Sequence, residues 1–503
     1  MADSDVLIVG AGPTGLALAL WLSKLGARVR VIDKTDAPGT TSRALAVHAR
    51  TLELYRQLGL ADAVIAGGHS VPAVGLWVRG KRRARISLAD AGSELTAYPF
   101  LHIFPQDEHE KLLIARLESL GVTIERRTEL LEFSDEDAQI AARLRGPQGE
   151  ERCEASYIAG CDGAHSLVRQ GMGGGFPGGT YQQVFYVADV AASGPAINGE
   201  LAVNLDDADF VAIFPLKGEG RVRLIGTVKD ERAAHPDRLQ FSDVSQRAIE
   251  TLKVGVNTVN WFSTYHVHHR VTERFRKGRA FLVGDAAHIH SPAGGQGMNT
   301  GIGDAINLAW KLKASLDGRA DDALLDSYEA ERIPFANRLV QTTDRVFTLA
   351  TAEGPIANFL RTRIAPLLLP AAVRFAVARE WMFRNVSQVQ INYRGGPLSA
   401  GAAGGVQGGD RLPWVRSRDA DNYASLATMR WQLHVYGQPS AEIEAWRRDR
   451  SLPLSAFEWS DAHAAAGLRR DALYLLRPDG YVALAAQDAP SLDRYFADRH
   501  IRP

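Results

Sequence analysis

The stretch of sequence that decides the fold is Asp5-Val-Leu-Ile-Val9-Gly10-Ala-Gly12-Pro-Thr-Gly15, near the start of the 503-residue chain. An apolar run that ends at closely spaced glycines predicts a buried parallel strand, a tight turn and the start of a helix. The glycines permit the turn, a close approach of the backbone to a pyrophosphate, and close packing of helix on strand. The unpaired N–H groups at the start of such a helix bind phosphate.

The residues that follow complete a dinucleotide-binding unit. The spacing predicts a helix over 14–25 and a second strand over 28–33. Asp33 ends that strand, eighteen residues after Gly15, where a carboxylate accepts hydrogen bonds from a ribose hydroxyl. The residues predicted to bind a dinucleotide are therefore Gly10, Gly12, Pro13, Thr14, Gly15, Asp33 and the adjacent Lys34.

Composition excludes several other classes of protein. Lys plus Arg and Asp plus Glu both number 58, so no net charge favours a nucleic-acid partner. Two cysteines, Cys153 and Cys161, are too few for a disulfide framework and lack zinc-site spacing, which favours a cytoplasmic location. The apolar segment 6–25 is interrupted by glycines and proline, so we interpret it as strand, turn and helix, with no membrane partner.

Two further motifs lie far along the chain. They are Cys161-Asp162-Gly163-Ala-His-Ser-Leu-Val-Arg169 and Gly284-Asp285-Ala-Ala-His288, the latter followed by Pro292-Ala293-Gly-Gly295-Gln-Gly297-Met298-Asn299. With the N-terminal fingerprint, and in this order, they resemble the group A flavoprotein monooxygenases. The resemblance is to the aromatic hydroxylase branch, which includes phenol, 3-(3-hydroxyphenyl)propionate and polyketide hydroxylases, and it covers essentially the whole chain.

The resemblance implies FAD as the bound cofactor, with Asp285 holding its ribityl chain. The other positions that it implies as FAD contacts are Arg43, Gln106, Asp162, Gly163, Pro292, Gly295, Gly297, Met298 and Asn299. Of these, the last three would place backbone groups against the flavin pyrimidine. Apolar spacing over 302–316 predicts a helix that begins just after Asn299, and its positive end suits an anionic reduced flavin.

Several motifs have competing interpretations. Asp162 and Arg169 either link flavin and nicotinamide binding, with Arg43 also near the nicotinamide, or form a structural ion pair. His288 and His290 lack a third ligand at motif spacing, so we predict packing beside the flavin and no metal site. The histidines of 265–269 fit a half-exposed strand.

The domain organisation follows from the same patterns. The predicted fold class is α/β, with a Rossmann-like FAD-binding domain over 1–178 and 272–390 and an inserted β-rich substrate domain over 179–271. The segment 395–409, rich in Gly and Ala, is interpreted as a linker. Residues 391–503 resemble the thioredoxin-like C-terminal domain of this branch but contain no cysteine, which excludes dithiol chemistry.

The resemblance also implies the reaction. NADPH or NADH would bind transiently, because there is one dinucleotide fingerprint. O2 would react to form a flavin C4a-hydroperoxide, whose distal oxygen atom would be transferred to an aromatic small molecule. We expect Pro292 and Ala293 to line the substrate pocket, and Pro292, Gly297 and Met298 to position the reacting groups; no base is assigned. Alternatives are Baeyer–Villiger oxygen insertion, antibiotic inactivation, or a non-catalytic FAD-dependent binding module. A monomer or homodimer is expected.

Overall fold

The computed structural model describes residues 3–39, 44–205, 210–228, 239–244, 246–291, 293–351, 359–372, 375–416 and 421–503. Its strands are β1 (Ser4–Val9), β2 (Val29–Asp33), β3 (Ala46–Val47), β4 (His69–Val71), β5 (Ala73–Val78), β6 (Lys81–Ser87), β7 (Leu101–Ile103), β8 (Ile124–Arg126), β9 (Glu129–Asp135), β10 (Ile140–Gly146), β11 (Gly149–Gly160), β12 (Gly178–Ser193), β13 (Leu201–Asn204), β14 (Val211–Pro215), β15 (Arg221–Val228), β16 (Gly255–Val271), β17 (Arg276–Lys277), β18 (Ala280–Leu282), β19 (His288–Ile289), β20 (Ala400–Ala403), β21 (Val406–Gln407), β22 (Gln432–Tyr436), β23 (Leu454–Phe457), β24 (Leu473–Leu476) and β25 (Val482–Ala486).

The α-helices are α1 (Pro13–Lys24), α2 (Ala49–Gln57), α3 (Ala61–Gly67), α4 (Ala89–Gly92), α5 (Gln106–Glu118), α6 (Leu167–Gly171), α7 (Arg247–Thr251), α8 (Gln296–Leu316), α9 (Asp322–Thr351), α10 (Ala365–Ala372), α11 (Ala376–Val386), α12 (Ala441–Asp449), α13 (Asp461–Ala465) and α14 (Pro490–Asp498). Strands and helices alternate through much of the chain, which confirms the predicted mixed α/β class. Within the described ranges, no helix is long and apolar enough to cross a membrane.

The first sheet holds the N-terminal fingerprint. Its strand order is β17-β18-β11-β1-β2-β8, with β10 and β9 attached beside β11. Strands β1, β2, β8, β11 and β18 run parallel. Helix α1 packs against α5 and α8 and is buried from Gly15 to Leu22, as expected of a helix that is apolar on all sides.

The second sheet is mostly antiparallel, in the order β19-β16-β12-β15-β14-β13-β5-β6. One of its faces packs on α7 through residues such as Val184 and Leu224. The other face contacts Leu45, Val71 and Ile103 of the first part of the chain. Strands β5 and β6 come from outside 179–271, so the sheet is larger than the segment predicted to form it.

The third sheet lies in the C-terminal part, in the order β21-β20-β25-β24-β22-β23. Its edge corrects the interpretation of 395–409 as a linker, because β20 and β21 form a hairpin there. Glycine is required at this hairpin, since Gly401 has φ +68° and a Cβ on Gly408 would lie 2.2 Å from Ala400 N. The small residues of this segment therefore allow two backbones to pack closely, although their composition is typical of a linker.

Candidate active site

Residues from all the predicted cofactor motifs meet at one edge of the first sheet. Because β1, β2, β11 and β18 are parallel, their carboxyl ends lie side by side. The segments that leave these ends carry Gly10, Asp33, Asp162 and Asp285. The carboxyl edge of a parallel sheet is where α/β proteins bind their ligands.

The turn between β1 and α1 leaves room for a ligand at one position only. Gly10 has φ +104°, and a Cβ there would lie 2.4 Å from Cys161 O. A Cβ on Gly15 would lie 2.0 Å from Gly10 O. A Cβ on Gly12, in contrast, would have no described protein atom within 4 Å. Gly12 is the N-cap of α1, with Pro13 following, so this space faces unpaired N–H groups and fits a pyrophosphate.

Asp33 stabilises this turn and keeps further acceptor capacity. Its Oδ2 accepts the Ala11 N–H at 2.7 Å, and its Oδ1 accepts Thr35 N–H at 2.8 Å and Thr35 Oγ1 at 2.6 Å. A carboxylate has about four acceptor positions, so a ribose hydroxyl can still bind. Lys34 is exposed beside it.

The loop that carries Asp285 is held against the fingerprint. Thr14 fills the space between Gly284 and Gly301, because a Cβ on these glycines would lie 2.7 and 2.3 Å from Thr14 Oγ1. Asp285 is exposed although Gly284 and Ala286 on either side are buried. An exposed carboxylate in a buried turn fits hydrogen bonding to the polyol chain of FAD.

Arg169 links the second motif to this loop rather than to Asp162. Its Nη1 donates to Ala286 O at 2.8 Å and its Nη2 donates to Ala164 O at 2.7 Å. Asp162 instead accepts the Leu167 N–H at 2.7 Å, and burial raises its pKa. The predicted alternative of an Asp162–Arg169 ion pair is therefore wrong.

Helix α8 begins earlier than the sequence predicted. It starts at Gln296, with Gly295 as its N-cap at φ +64°, so Gly297, Met298 and Asn299 lie in its first turn rather than before it. The prediction was late because Gly297 lowers helix propensity, whereas a first turn capped by a left-handed glycine tolerates it. The backbone N–H groups of this turn have no intrahelical partner.

The Asn299 side chain is fully engaged by the protein. Its Oδ1 accepts the His48 N–H at 2.9 Å and Thr51 Oγ1 at 2.8 Å. Its Nδ2 donates to Ala46 O at 2.8 Å and Gly295 O at 2.9 Å. Any cofactor contact at this position would therefore use the backbone.

Two histidines beside this turn, the buried His48 and the half-buried His290, were not selected by sequence reasoning as hydrogen-bond acceptors. His48 Nε2 donates to Gly295 O at 2.9 Å, and His290 Nδ1 donates to Ser291 O at 2.8 Å. The other ring nitrogen of each is therefore an acceptor, and it is buried without a partner among the described atoms. Burial lowers the pKa of both rings to about 4.

Two further histidines of the predicted motifs contact protein side chains. His288 Nε2 lies 2.7 Å from Asp304 Oδ2, and Asp304 Oδ1 accepts Arg332 Nε at 2.5 Å. His268 Nδ1 lies 2.8 Å from Thr180 Oγ1 on β12. In the described parts of the chain, no three His, Cys, Asp or Glu side chains are grouped as metal ligands.

Some predicted contacts can be placed only in part. Gln106 begins α5 and donates to Glu110 Oε1 at 2.8 Å, and Gly163 follows Asp162 with φ +75°. Arg43 and Pro292 lie outside the described residues, as does the side chain of Ala293. Their predicted roles stay predictions.

An aromatic surface on the second sheet was also missed. Phe185 and Tyr265 face each other at 5.9 Å between ring centroids and pack with Phe210 and Ile225. Asp189, on the same face of β12, accepts the nearly buried Arg223 in two hydrogen bonds of 2.5 and 2.7 Å. The residues alternate along their strands, but alternation alone does not say which face is a core and which lines a site.

The strand that carries Tyr265 and the turn that precedes α8 have one helix as a common neighbour. Helix α9 packs against β16, which carries Tyr265, and against the turn Ala293–Gly295 that precedes α8.

Comparison with known proteins gives consistent similarities. Residues 3–343 match the family described as FAD binding domain. A 6-methylpretetramide 4-monooxygenase of Streptomyces rimosus is 35% identical, over 96% of this chain and 91% of the relative. A rifampicin monooxygenase of Streptomyces venezuelae is 32% identical, over 97% of each. The solved OxyS anhydrotetracycline hydroxylase of Streptomyces rimosus has a TM-score of 0.77 at 29% identity, over 99% of both chains.

Proposed function

Because this chain belongs to the FAD-binding-domain family and is a flavin-dependent aromatic monooxygenase, we propose that it hydroxylates a phenolic or polycyclic aromatic small molecule with NADPH or NADH as electron donor. The observation that carries the proposal is the meeting of Gly12, Asp285 and the first turn of α8 at one sheet edge. The reaction consumes one NAD(P)H, one O2 and one proton, and it yields the hydroxylated ring, NAD(P)⁺ and water.

The residues present fit FAD. The pyrophosphate would lie in the open space beside Gly12 and bind the N–H groups at the start of α1. Asp33 would bind the adenosine ribose, and Asp285 would bind the ribityl chain. The backbone of Gly297 and Met298 would face the flavin pyrimidine. When bound, FAD accepts hydride from NAD(P)H and activates O2.

The protein's part is to bind, orient and exclude water. We place the substrate between the first turn of α8 and the aromatic surface around Phe185 and Tyr265, because a polycyclic ring buries well against aromatic faces. Pro292 and Ala293 complete this proposed pocket. The unpaired acceptors of His48 and His290 are available for a hydrogen bond from cofactor or substrate.

The domain boundaries are part of the proposal. The order β22-α12-β23 with parallel pairing, followed by antiparallel β24 and β25, supports a thioredoxin-like C-terminal domain. Without cysteine, its role is packing rather than thiol exchange. The single fingerprint supports transient binding of the nicotinamide cofactor.

The test is a panel of phenols and polycyclic aromatics assayed with NADPH and NADH. We expect substrate-dependent NAD(P)H oxidation and O2 uptake, with one atom of ¹⁸O2 in the product by mass spectrometry. Product lacking the label, or no substrate dependence across tetracyclic and phenolic compounds, would refute aromatic hydroxylation.

A second reaction is favoured by one observation. The rifampicin monooxygenase relative covers 97% of both chains, which supports oxidative inactivation of an antibiotic by the same site. A Baeyer–Villiger outcome is distinguished by a lactone product, and inactivation by loss of antibacterial activity of the treated compound.

A further inference from the structure

One turn of the C-terminal domain lies between two helices of the FAD-binding part. The turn joins β24 to β25 and contains Asp479. The Asp479 carboxylate accepts Trp310 Nε1 of α8 at 3.2 Å, and its main-chain carbonyl accepts Arg50 Nη2 of α2 at 2.8 Å. Asp479 is buried, so a single residue joins α2 to α8.

Arg477 of the same turn is fully buried and extends the contact. It donates to Glu331 of α9 at 2.6 and 3.1 Å, and to the Asp479 carboxylate at 3.0 and 2.6 Å. Glu331 also accepts Lys311 Nζ of α8 at 2.9 Å and Asn307 Nδ2 at 2.7 Å. Both partners of the Arg477–Glu331 ion pair have side chains with 0% exposure.

A second contact holds the same face of α2, one turn further along the helix. Arg411 of the C-terminal domain donates to Glu53 of α2 through Nε at 2.8 Å and Nη2 at 2.5 Å. Glu53 also accepts Thr96 Oγ1 at 2.6 Å and Arg50 Nη1 at 3.1 Å. The exposed side-chain fractions of Arg411 and Glu53 are 6% and 2%.

Helix α2 carries this restraint to the cofactor site. Its Thr51 and the preceding His48 donate to the Asn299 side chain in the first turn of α8. A cavity of about 20 Å³, large enough for one water, lies where α2, α8 and the C-terminal domain meet, lined by Arg50, Thr51, Asn299, Tyr393 and Tyr481 among others.

We infer that the C-terminal domain is a positioning element of the FAD site, in which Arg411 and Asp479 fix α2 relative to α8 and thereby place the first turn of α8 against the flavin. The inference rests on the proposed position of the flavin. A buried ion pair is a costly source of stability compared with apolar packing, but it defines direction and distance strictly. The role requires no thiol chemistry.

The test replaces the Glu53–Arg411 pair with neutral side chains of similar size, as Glu53→Gln/Arg411→Met in the full-length protein. Removing one positive and one negative charge keeps the net charge of the cluster unchanged, and the glutamine amide oxygen at position 53 can still accept a hydrogen bond from Arg50 Nη1. Arg450→Met is the control, because the Arg450–Asp493 ion pair of this domain is exposed and touches neither α2 nor α8. The measurements are the Kd for FAD, the visible circular dichroism of bound FAD, and thermal unfolding of the FAD-free protein.

We expect the Kd for FAD to rise at least about tenfold and the flavin dichroism to change in the double variant only. When Thr51→Val is combined with the double variant, the increases in the Kd for FAD should not be additive, because both sets of changes act through α2. If the double variant does not fold, Arg411→Lys, which cannot form the bidentate contact, should show the same changes at smaller size.

The inference would be overturned if the double variant had unchanged FAD affinity and flavin dichroism, even if its thermal stability fell. It would also be overturned if the effects of Thr51→Val and of the double variant on the Kd for FAD were simply additive. These measurements use FAD and no aromatic substrate. A failed hydroxylation assay therefore refutes the proposed reaction alone.

Discussion

Arg169 Nη1 donates a hydrogen bond to the carbonyl oxygen of Ala286 at 2.8 Å, and this contact ties the loop of one cofactor motif to another 117 residues away. Arg169→Met should raise the Kd for FAD about tenfold or more, because a charge-assisted hydrogen bond contributes about 1.5–3 kcal/mol. Titration of the FAD-free variant with FAD measures this Kd. Gln170→Ala, at the adjacent exposed position, is the control and should bind FAD normally.

Gly10 and Gly12 should respond in opposite ways to replacement by alanine. At Gly12 the added Cβ meets none of the described protein atoms within 4 Å, so FAD-free stability should be unchanged while FAD binding falls at least about tenfold. At Gly10 the Cβ meets Cys161 O at a φ of +104°, which should cost about 3 kcal/mol or more of stability without FAD. Chemical denaturation measures the stability of each FAD-free variant, and FAD titration measures its affinity for FAD. If Gly10→Ala and Gly12→Ala lost the same stability, the placement of the pyrophosphate beside Gly12 would be contradicted.

Asp285→Ala should weaken FAD retention and leave the protein folded. The side chain is exposed between buried neighbours, so its removal opens no core cavity but removes hydrogen bonds to the cofactor. Asp498→Ala, on an exposed surface of α14, is the matched control. An Asp285→Ala protein with the FAD affinity of the control would remove the assigned role.

Acidification should destabilise the protein partly through His48. Burial lowers its pKa from 6.5 to about 4 in the folded state, so the unfolded chain binds more protons between these values. Stability therefore falls as pH decreases from 6.5 to 4, by up to about 3 kcal/mol from this residue. His48→Asn should flatten the pH dependence of urea unfolding in that window, whereas replacement of the exposed His266 should not; equal slopes would disprove the contribution.

Flavin reduction should depend on the aromatic substrate. A single dinucleotide fingerprint means that NAD(P)H and the ring must reach the flavin at different times or positions, which requires motion. We expect slow reduction and mainly hydrogen peroxide with NAD(P)H alone, and faster reduction with product formation when substrate is present. Stopped-flow absorbance and peroxide assays measure both. An efficiently hydroxylated substrate that leaves the reduction rate unchanged would refute this gating while the monooxygenase class stands.

Local patterns alone determined the dinucleotide unit of this protein. Glycine at 10, 12 and 15 after an apolar strand, with Asp33 at the end of the next strand, needed no distant information, because turn geometry and strand ends are encoded by neighbouring residues. The α/β class followed from the alternation of strand and helix patterns, whereas the meeting of the motifs at one sheet edge was decided by the parallel order of the strands. The start of α8 was predicted late because glycine lowers helix propensity except where a cap makes it suitable.

Only the tertiary structure decided what several of these residues contact. Asn299 accepts a hydrogen bond from Thr51, 248 positions away, and Arg169 donates to Ala286 O rather than to Asp162. The sequence also did not predict the aromatic face around Phe185 or the hydrogen bonds of Asp479 to α2 and α8. The physical reason is that a polar side chain takes the partner that burial brings within hydrogen-bond distance, and burial depends on how distant elements pack, which no local pattern records.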